Sequence, residues 1–208
     1  MGNRRSVQKA LEAIGARAQI TRDHTEIDAA DGLVIPGVGA FPHAIRNLAE
    51  LGLDGAVRTY ATSGRPLLGI CLGMQVLFEA SEEFGSTAGL GLIGGAVTPI
   101  RAGGLRIPHI GWNEVRFERS SALTAGLPQG GRPFYHVHSL AARPADAADV
   151  IGTTEYGERF ATAVTHGNIH GVQFHPEKSS RDGLQMLAGF AALCGKGTRP
   201  NPAAALRA

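Results

Sequence analysis

A chain of 208 residues is long enough for one domain whose core needs no disulfide staples. A net charge of +2, with Arg4-Arg5 the only adjacent basic pair, and 6% aromatic residues offer nucleic acid neither an electrostatic footprint nor a stacking platform. Two distant cysteines argue against a disulfide framework and for a reducing cytosol, and no apolar run reads as a signal peptide or a membrane span.

In chain order, Val7, Ala10, Leu11 and Ile14 share one helical face, with Ser6 as the expected cap and Gly15 as the stop. Residues 16–21 read as a short strand and 32–35 as a buried one, which runs into Pro36-Gly37-Val38-Gly39-Ala40. Residues 41–51 and 53–62 read as helices; 66–70 is a strand leading into a turn at Cys71 and a helix over 72–80. This alternation predicts a three-layer α/β fold, a mainly parallel central sheet with helices on both faces. Short strands follow at 96–100, 112–117, 134–138, 150–155, 160–165 and 169–174. A last helix spans 181–193, with Leu184, Leu187, Ala188 and Ala191 on one face. Residues 1–194 read as one domain, and the tail 195–208, rich in Gly, Pro, Ala and Arg, as disordered. Only Met1-Gly2-Asn3-Arg4-Arg5 precedes the first helix, so the strand that opens such sheets is expected to be missing.

The chemistry concentrates in two places. Gly69-Ile70-Cys71-Leu72-Gly73-Met74-Gln75 sets a thiol between two glycines where a strand turns into a helix. The glycines permit a tight, strained bend, and the helix start favours negative charge on sulfur. His175 follows the apolar strand Gly171-Val172-Gln173-Phe174, and Glu177 comes two residues later across a proline. A base oriented by a carboxylate is the partner that such a thiol needs. Pro36-Gly37-Val38-Gly39 is a candidate oxyanion loop beside the N–H of Leu72. Cys194, near the end of the last helix, reads as a packing or surface thiol. His109, His136, His138, His166 and His170 have no metal-ligand spacing and read as structural or surface groups.

The cysteine turn together with His175-Pro176-Glu177 resembles the class I (triad) glutamine amidotransferases. Pro36-Gly37-Val38-Gly39-Ala40-Phe41, Pro108-His109-Ile110-Gly111-Trp112-Asn113, Phe134-Tyr135-His136-Val137-His138-Ser139 and His175-Pro176-Glu177-Lys178-Ser179 narrow the likeness to the glutaminase subunits of imidazole glycerol phosphate synthases, from about Gly2 to Leu193. The resemblance implies a flavodoxin-like sheet, no cofactor and no metal. It implies a heterodimer with a (βα)8-barrel cyclase that receives ammonia during histidine biosynthesis. Cys71 would attack the glutamine carboxamide, His175 would move protons and Glu177 would orient it. Val38, Gly39 and Leu72 would hold the oxyanion, and Gln75, Glu83 and Ser139 would bind substrate. Asn3, Trp112, Tyr135 and Lys178 would lie at the cyclase interface and ammonia gate. Two departures stand out. Leu140 replaces the usual tyrosine, leaving a backbone contact at most. The missing first strand implies poor solubility or weak activity for this chain. Competing readings are another triad amidotransferase, a γ-glutamyl hydrolase, and a catalytically silent partner of the cyclase.

Overall fold

The computed structural model describes residues 3–128 and 130–195. Met1, Gly2 and the tail beyond Gly195, expected to be disordered, lie outside them. Helix α1 (Arg4–Ala13) forms because Val7, Ala10 and Ile14 give it a buried stripe, and Gly15 at φ 87° stops it. Ser6 is exposed within the helix rather than capping it; Asn3 holds the cap position but sends its side chain elsewhere. Residues 16–21 form no strand. No strand of the described residues runs alongside them, so their backbone groups find only local ties such as Ala16 N–H to Leu11 O at 3.0 Å. Helix α2 (His24–Ala29) was not foreseen: it is too short for a periodic pattern, and Asp23 caps it through Oδ1 to the N–H groups of Thr25 and Glu26.

Strand β1 (Leu33–Gly37) precedes helices α3 (Phe41–Glu50) and α4 (Leu53–Thr62), and β2 (Leu67–Cys71) runs parallel to β1 with Gly37 opposite Cys71. The expected helix after Cys71 is a single turn, α5 (Leu72–Gln75). The chain then leaves as strand β3 (Phe78–Ser81), because Leu77 O accepts from both Leu92 N–H (2.8 Å) and Ile93 N–H (3.1 Å), and Val76, Leu77 and Phe78 sink into the core. Strands β4 (Thr87–Ala88) and β5 (Ile93–Pro99) pair with β3. A hairpin, β6 (His109–Phe117) with β7 (Arg132–His138), leads to β8 (Leu140–Pro144), β9 (Val150–Glu155), β10 (Arg159–His166) and β11 (Ile169–Val172). Helix α6 (Ser180–Leu193) closes the described chain.

The main sheet runs β1-β2-β11-β10-β8-β5-β3-β4, with β6, β7 and β9 branching from it. Parallel pairing joins β1, β2 and β11, and β3 with β5, while antiparallel pairs link β11, β10, β8 and β5, and β3 with β4. Alternation along β2 divides two cores. Leu67 packs toward Val57, Tyr60 and Phe41 of α3 and α4, whereas Leu68 and Ile70 pack toward Val7 of α1 and Leu187 and Phe190 of α6. Helices thus cover both faces, and β2, buried throughout, delivers its C-terminal residue to the sheet's carboxyl end. No helix of the described residues is long and apolar enough to cross a membrane.

Candidate active site

Cys71 is the last residue of β2 and adopts φ 56°, ψ −114°, a conformation that costs a non-glycine residue energy. The turn is held by contacts that tolerate no side chain on its flanks. A Cβ on Gly73 would collide with the carbonyl of Ile35, and one on Gly69 with the backbone of Gly73. The strain is therefore imposed by the packing of β1 against the bend. With α5 only one turn long, the dipole expected to act on the sulfur is that of a single turn.

His175 arrives from the end of β11. Its backbone N–H donates to Tyr135 O (2.9 Å) and its carbonyl accepts from Ser179 Oγ (2.6 Å), which locks the turn into the hairpin strand β7. Its Nδ1 lies 2.8 Å from Glu177 Oε1, so Nε2 is the nitrogen left to face the Cys71 sulfur. Both side chains of the His175–Glu177 pair are almost fully buried. Burial works to lower the His175 pKa, but the Cys71 sulfur and the Glu177 carboxylate outweigh it and push it up to about 9. The imidazole is thus held as a cation between two acceptors at neutral pH.

Asn3, expected at the cyclase interface, is buried within the chain. It is 4% exposed, and its Nδ2 donates to Glu177 Oε1 at 2.7 Å while lying 3.2 Å from His175 Nδ1. The side chain that leaves α1 uncapped therefore clamps the carboxylate of the dyad.

The other expected residues separate into groups. Gly37 sits opposite Cys71 in the parallel register, so Val38 (46% exposed) and Gly39 (φ 104°) continue directly beside the cysteine turn, where Leu72 begins α5. Glu83 accepts the Phe41 N–H through Oε2 at 2.6 Å and supplies the N-terminal cap that Ala40 cannot give α3. Ser139 follows β7, two residues beyond Val137, whose carbonyl lies 3.8 Å from Cys71 Sγ. Gln75 is buried, and its Nε2 donates to Gln173 Oε1 (2.9 Å) and Leu140 O (3.5 Å). The Leu140 side chain packs in the core, and its carbonyl also accepts from His138 Nδ1 at 2.7 Å. Trp112, Tyr135 and Lys178 do come together. The Trp112 and Tyr135 rings meet edge-on at 6.1 Å, and Lys178 Nζ lies 5.9 Å from the Tyr135 ring centre. Trp112 is 52% exposed, and Ile110 beside it on β6 is exposed as well.

Sequence reasoning missed Gln173. Its side chain is completely buried, with Nε2 3.7 Å from Cys71 Sγ. The signal was an amide within the apolar run Gly171-Val172-Gln173-Phe174, two positions before His175. The remaining histidines are structural: His170 bonds Thr165 Oγ1 (3.0 Å), His166 bonds Asp149 (2.9 Å), and His109 Nδ1 meets His138 Nε2 at 3.0 Å. Cys194 donates to Phe190 O at 3.4 Å, and burial pushes its thiol up to about 11, as a packing cysteine requires.

Known proteins resemble this chain along most of its length. The family model described as glutamine amidotransferase class-I matches residues 1–193. Imidazole glycerol phosphate synthase subunit HisH of Moorella thermoacetica is 53% identical over 193 residues, covering 93% of this chain and 91% of that protein. The protein of the same name from Aquifex aeolicus is 46% identical over 191 residues, covering 91% of each. Among solved structures, a glutamine amidotransferase superposes with a TM-score of 0.72 at 22% identity, covering 92% of this chain and 93% of that one. A chain of the PurLQS structure from Thermotoga maritima does so with a TM-score of 0.68 at 18% identity, covering 90% and 91%. These two likenesses speak to the fold alone. On the match along almost its whole length and on its relatives, the chain belongs to the class-I glutamine amidotransferase family.

Proposed function

We infer that this protein is the glutamine-hydrolysing subunit of an imidazole glycerol phosphate synthase, serving histidine biosynthesis. The observation that carries the chemistry is a cysteine strained to φ 56° whose sulfur raises the pKa of a buried imidazole, itself held by a carboxylate at 2.8 Å. The names of relatives up to 53% identical support the specific assignment.

Chemistry on this frame runs as follows. The Cys71 sulfur attacks the side-chain amide carbon of glutamine, a C–S bond forms, and negative charge moves to the amide oxygen. The N–H groups of the Val38–Gly39 loop and of Leu72 receive that charge. His175, already cationic, gives its proton to the departing nitrogen and ammonia leaves. The neutral imidazole then takes a proton from water, which cleaves the thioester to glutamate and restores the thiol site. Glu177 keeps Nδ1 engaged so that Nε2 performs both transfers. Glu83, which follows β3 and caps α3, and Ser139, which follows β7, bind the amino-acid end of glutamine. Gln75, expected among them, acts from beneath the site through Gln173.

The partner subunit seats on the face formed by Trp112, Tyr135 and Lys178, and it is a (βα)8-barrel cyclase that consumes the ammonia. A stand-alone hydrolase would have no use for an exposed tryptophan beside its active site, and a silent partner none for an intact triad. The test is glutamate release by the chain alone and with the cyclase. The expected result is slow release alone and strong stimulation by the complex. In that complex Cys71→Ala removes the glutamine-driven reaction and preserves the one driven by added ammonium. Full glutaminase activity without a partner, or loss of the ammonium-driven reaction in Cys71→Ala, overturns the reading.

A further inference from the structure

Gln173 has no assigned task, yet it is the side-chain donor that reaches the nucleophile from inside the protein. Its Nε2 lies 3.7 Å from Cys71 Sγ, within hydrogen-bonding range for sulfur, and none of its surface is exposed. Its orientation follows from atoms whose roles are not in question. Leu140 O can only accept. Gln75 must therefore turn its NH2 group toward that carbonyl (3.5 Å), and the same Nε2 meets Gln173 at 2.9 Å. The Gln173 atom facing it must be the oxygen, which leaves the Gln173 NH2 group to face the sulfur.

A second set of bonds pins the same carbonyl. His138 Nδ1 donates to Leu140 O at 2.7 Å, so His138 Nε2 accepts from His109 Nδ1 at 3.0 Å, and His109 Nε2 accepts from Asn113 Nδ2 at 3.2 Å. Neutral imidazoles permit only this direction of donation. One directed network thus joins Asn113, on the hairpin strand that carries Trp112, to the reactive sulfur.

We propose that Gln173 is a further catalytic residue: its side-chain N–H donates to Cys71 Sγ, and Gln75 with the Leu140 carbonyl keeps that N–H aimed. The inference rests on the amide-cleaving role of Cys71. The donor stabilises negative charge on sulfur before attack. It acts again when the thioester is hydrolysed, because the C–S bond breaks and its electron pair returns to the sulfur beside the same N–H.

The test reads the sulfur without glutamine. The full chain is treated with iodoacetamide, and Cys71 and Cys194 are followed separately by peptide mass spectrometry. Gln173→Met keeps the volume and removes the donor; it is expected to slow Cys71 alkylation about tenfold near pH 7 and much less near pH 10, where hydroxide ionises ordinary thiols without a donor's aid. Cys194 alkylation is expected to be unchanged. Gln173→Glu retains an acceptor for Gln75 and sets an anion against the sulfur, so it should slow alkylation further; it decides the matter if the Met variant does not fold. A measurement needing no variant is the Gln173 side-chain amide signal in a 1H–15N spectrum, which should move when Cys71 is alkylated. Unchanged Cys71 rates in a folded variant, a loss that is equal at both pH values, or an unmoved amide signal each overturns the proposal. Glutamate release is scored separately. Its absence with these sulfur effects intact would sink the glutaminase reading and leave the donor standing.

Discussion

At the scale of single residues, a buried carboxylate is held through one of its oxygens: Glu177 Oε1 meets His175 and Asn3, while Oε2 has no hydrogen-bond partner among the described residues. Glu177 is fully buried, and Asn3 is one of the two groups on its Oε1. A hydrogen bond to a buried charge is worth about 1.5–3 kcal/mol, and losing it leaves the acceptor unpaired. Asn3→Ala should therefore lower stability by about that amount and slow glutamate release about tenfold or more through a misaligned His175. Asn3→Asp, which sets a carboxylate against a carboxylate, should be worse than Ala. Denaturant midpoints and kcat measured on the complex check both, and a wild-type kcat in Asn3→Ala would show that the clamp is dispensable. The pH dependence follows from His175, raised to about 9: its acid form protonates the leaving nitrogen. Glutamine hydrolysis should accordingly hold through neutral pH and fall as pH rises through about 9. A decline beginning well below pH 8 in a pH–kcat profile would contradict the assignment.

At the scale of elements, the cysteine turn is a joint between β1, β2 and α5 with no spare volume. Gly73→Ala would drive a Cβ into the Ile35 carbonyl, and neither backbone can retreat without breaking the parallel pairing of β1 and β2. We expect this substitution to cost more than about 3 kcal/mol, as strained core changes do. Gly39→Ala meets open space but strains a positive φ, so it should cost about 1–2 kcal/mol, less than Gly73→Ala, and lower turnover by shifting the loop beside Cys71. Urea melts of the two variants distinguish these effects. Much of this joint was legible in the sequence. The glycine spacing announced the bend, the apolar runs announced β1 and β2, and helix α4 and strand β9 have the bounds that their patterns implied. What was hidden had physical causes. Strand β8, Leu140–Pro144, is rich in alanine because it is buried between β5 and β10, and alanine speaks for helix. The pattern over 72–80 continued a helix, but long-range pairing with residues 90–93 drew the chain into β3. The contacts of Asn3 with Glu177 and of Gln173 with Cys71 join residues about a hundred or more positions apart, so they became visible only once those elements had met.

At the scale of the whole molecule, the hairpin β6–β7 rests on buried imidazoles. Burial lowers His138 to about 3 and His170 to about 4, and holds His109 and His136 below the usual histidine value too. The unfolded chain takes up these protons near pH 6.5, whereas the folded one refuses them until much lower pH. The unfolded state binds more protons in that interval, so stability falls as pH drops from about 6.5 toward about 4, by about 1.4 kcal/mol per pH unit for each such histidine. Thermal melts across this range should show the decline, and His138→Gln should flatten it. A melting temperature unchanged between pH 6.5 and pH 4.5 would contradict the neutral assignment.

The chain's one tryptophan has a practical use. Trp112 is half-exposed, edge-on to Tyr135 and a short way from Lys178, on the face where a partner subunit is proposed to sit. Its indole is thus an intrinsic optical probe: every emitted photon from tryptophan originates at that face. Covering it with another protein should shift the emission toward the blue, so assembly can be titrated without a label and separately from turnover.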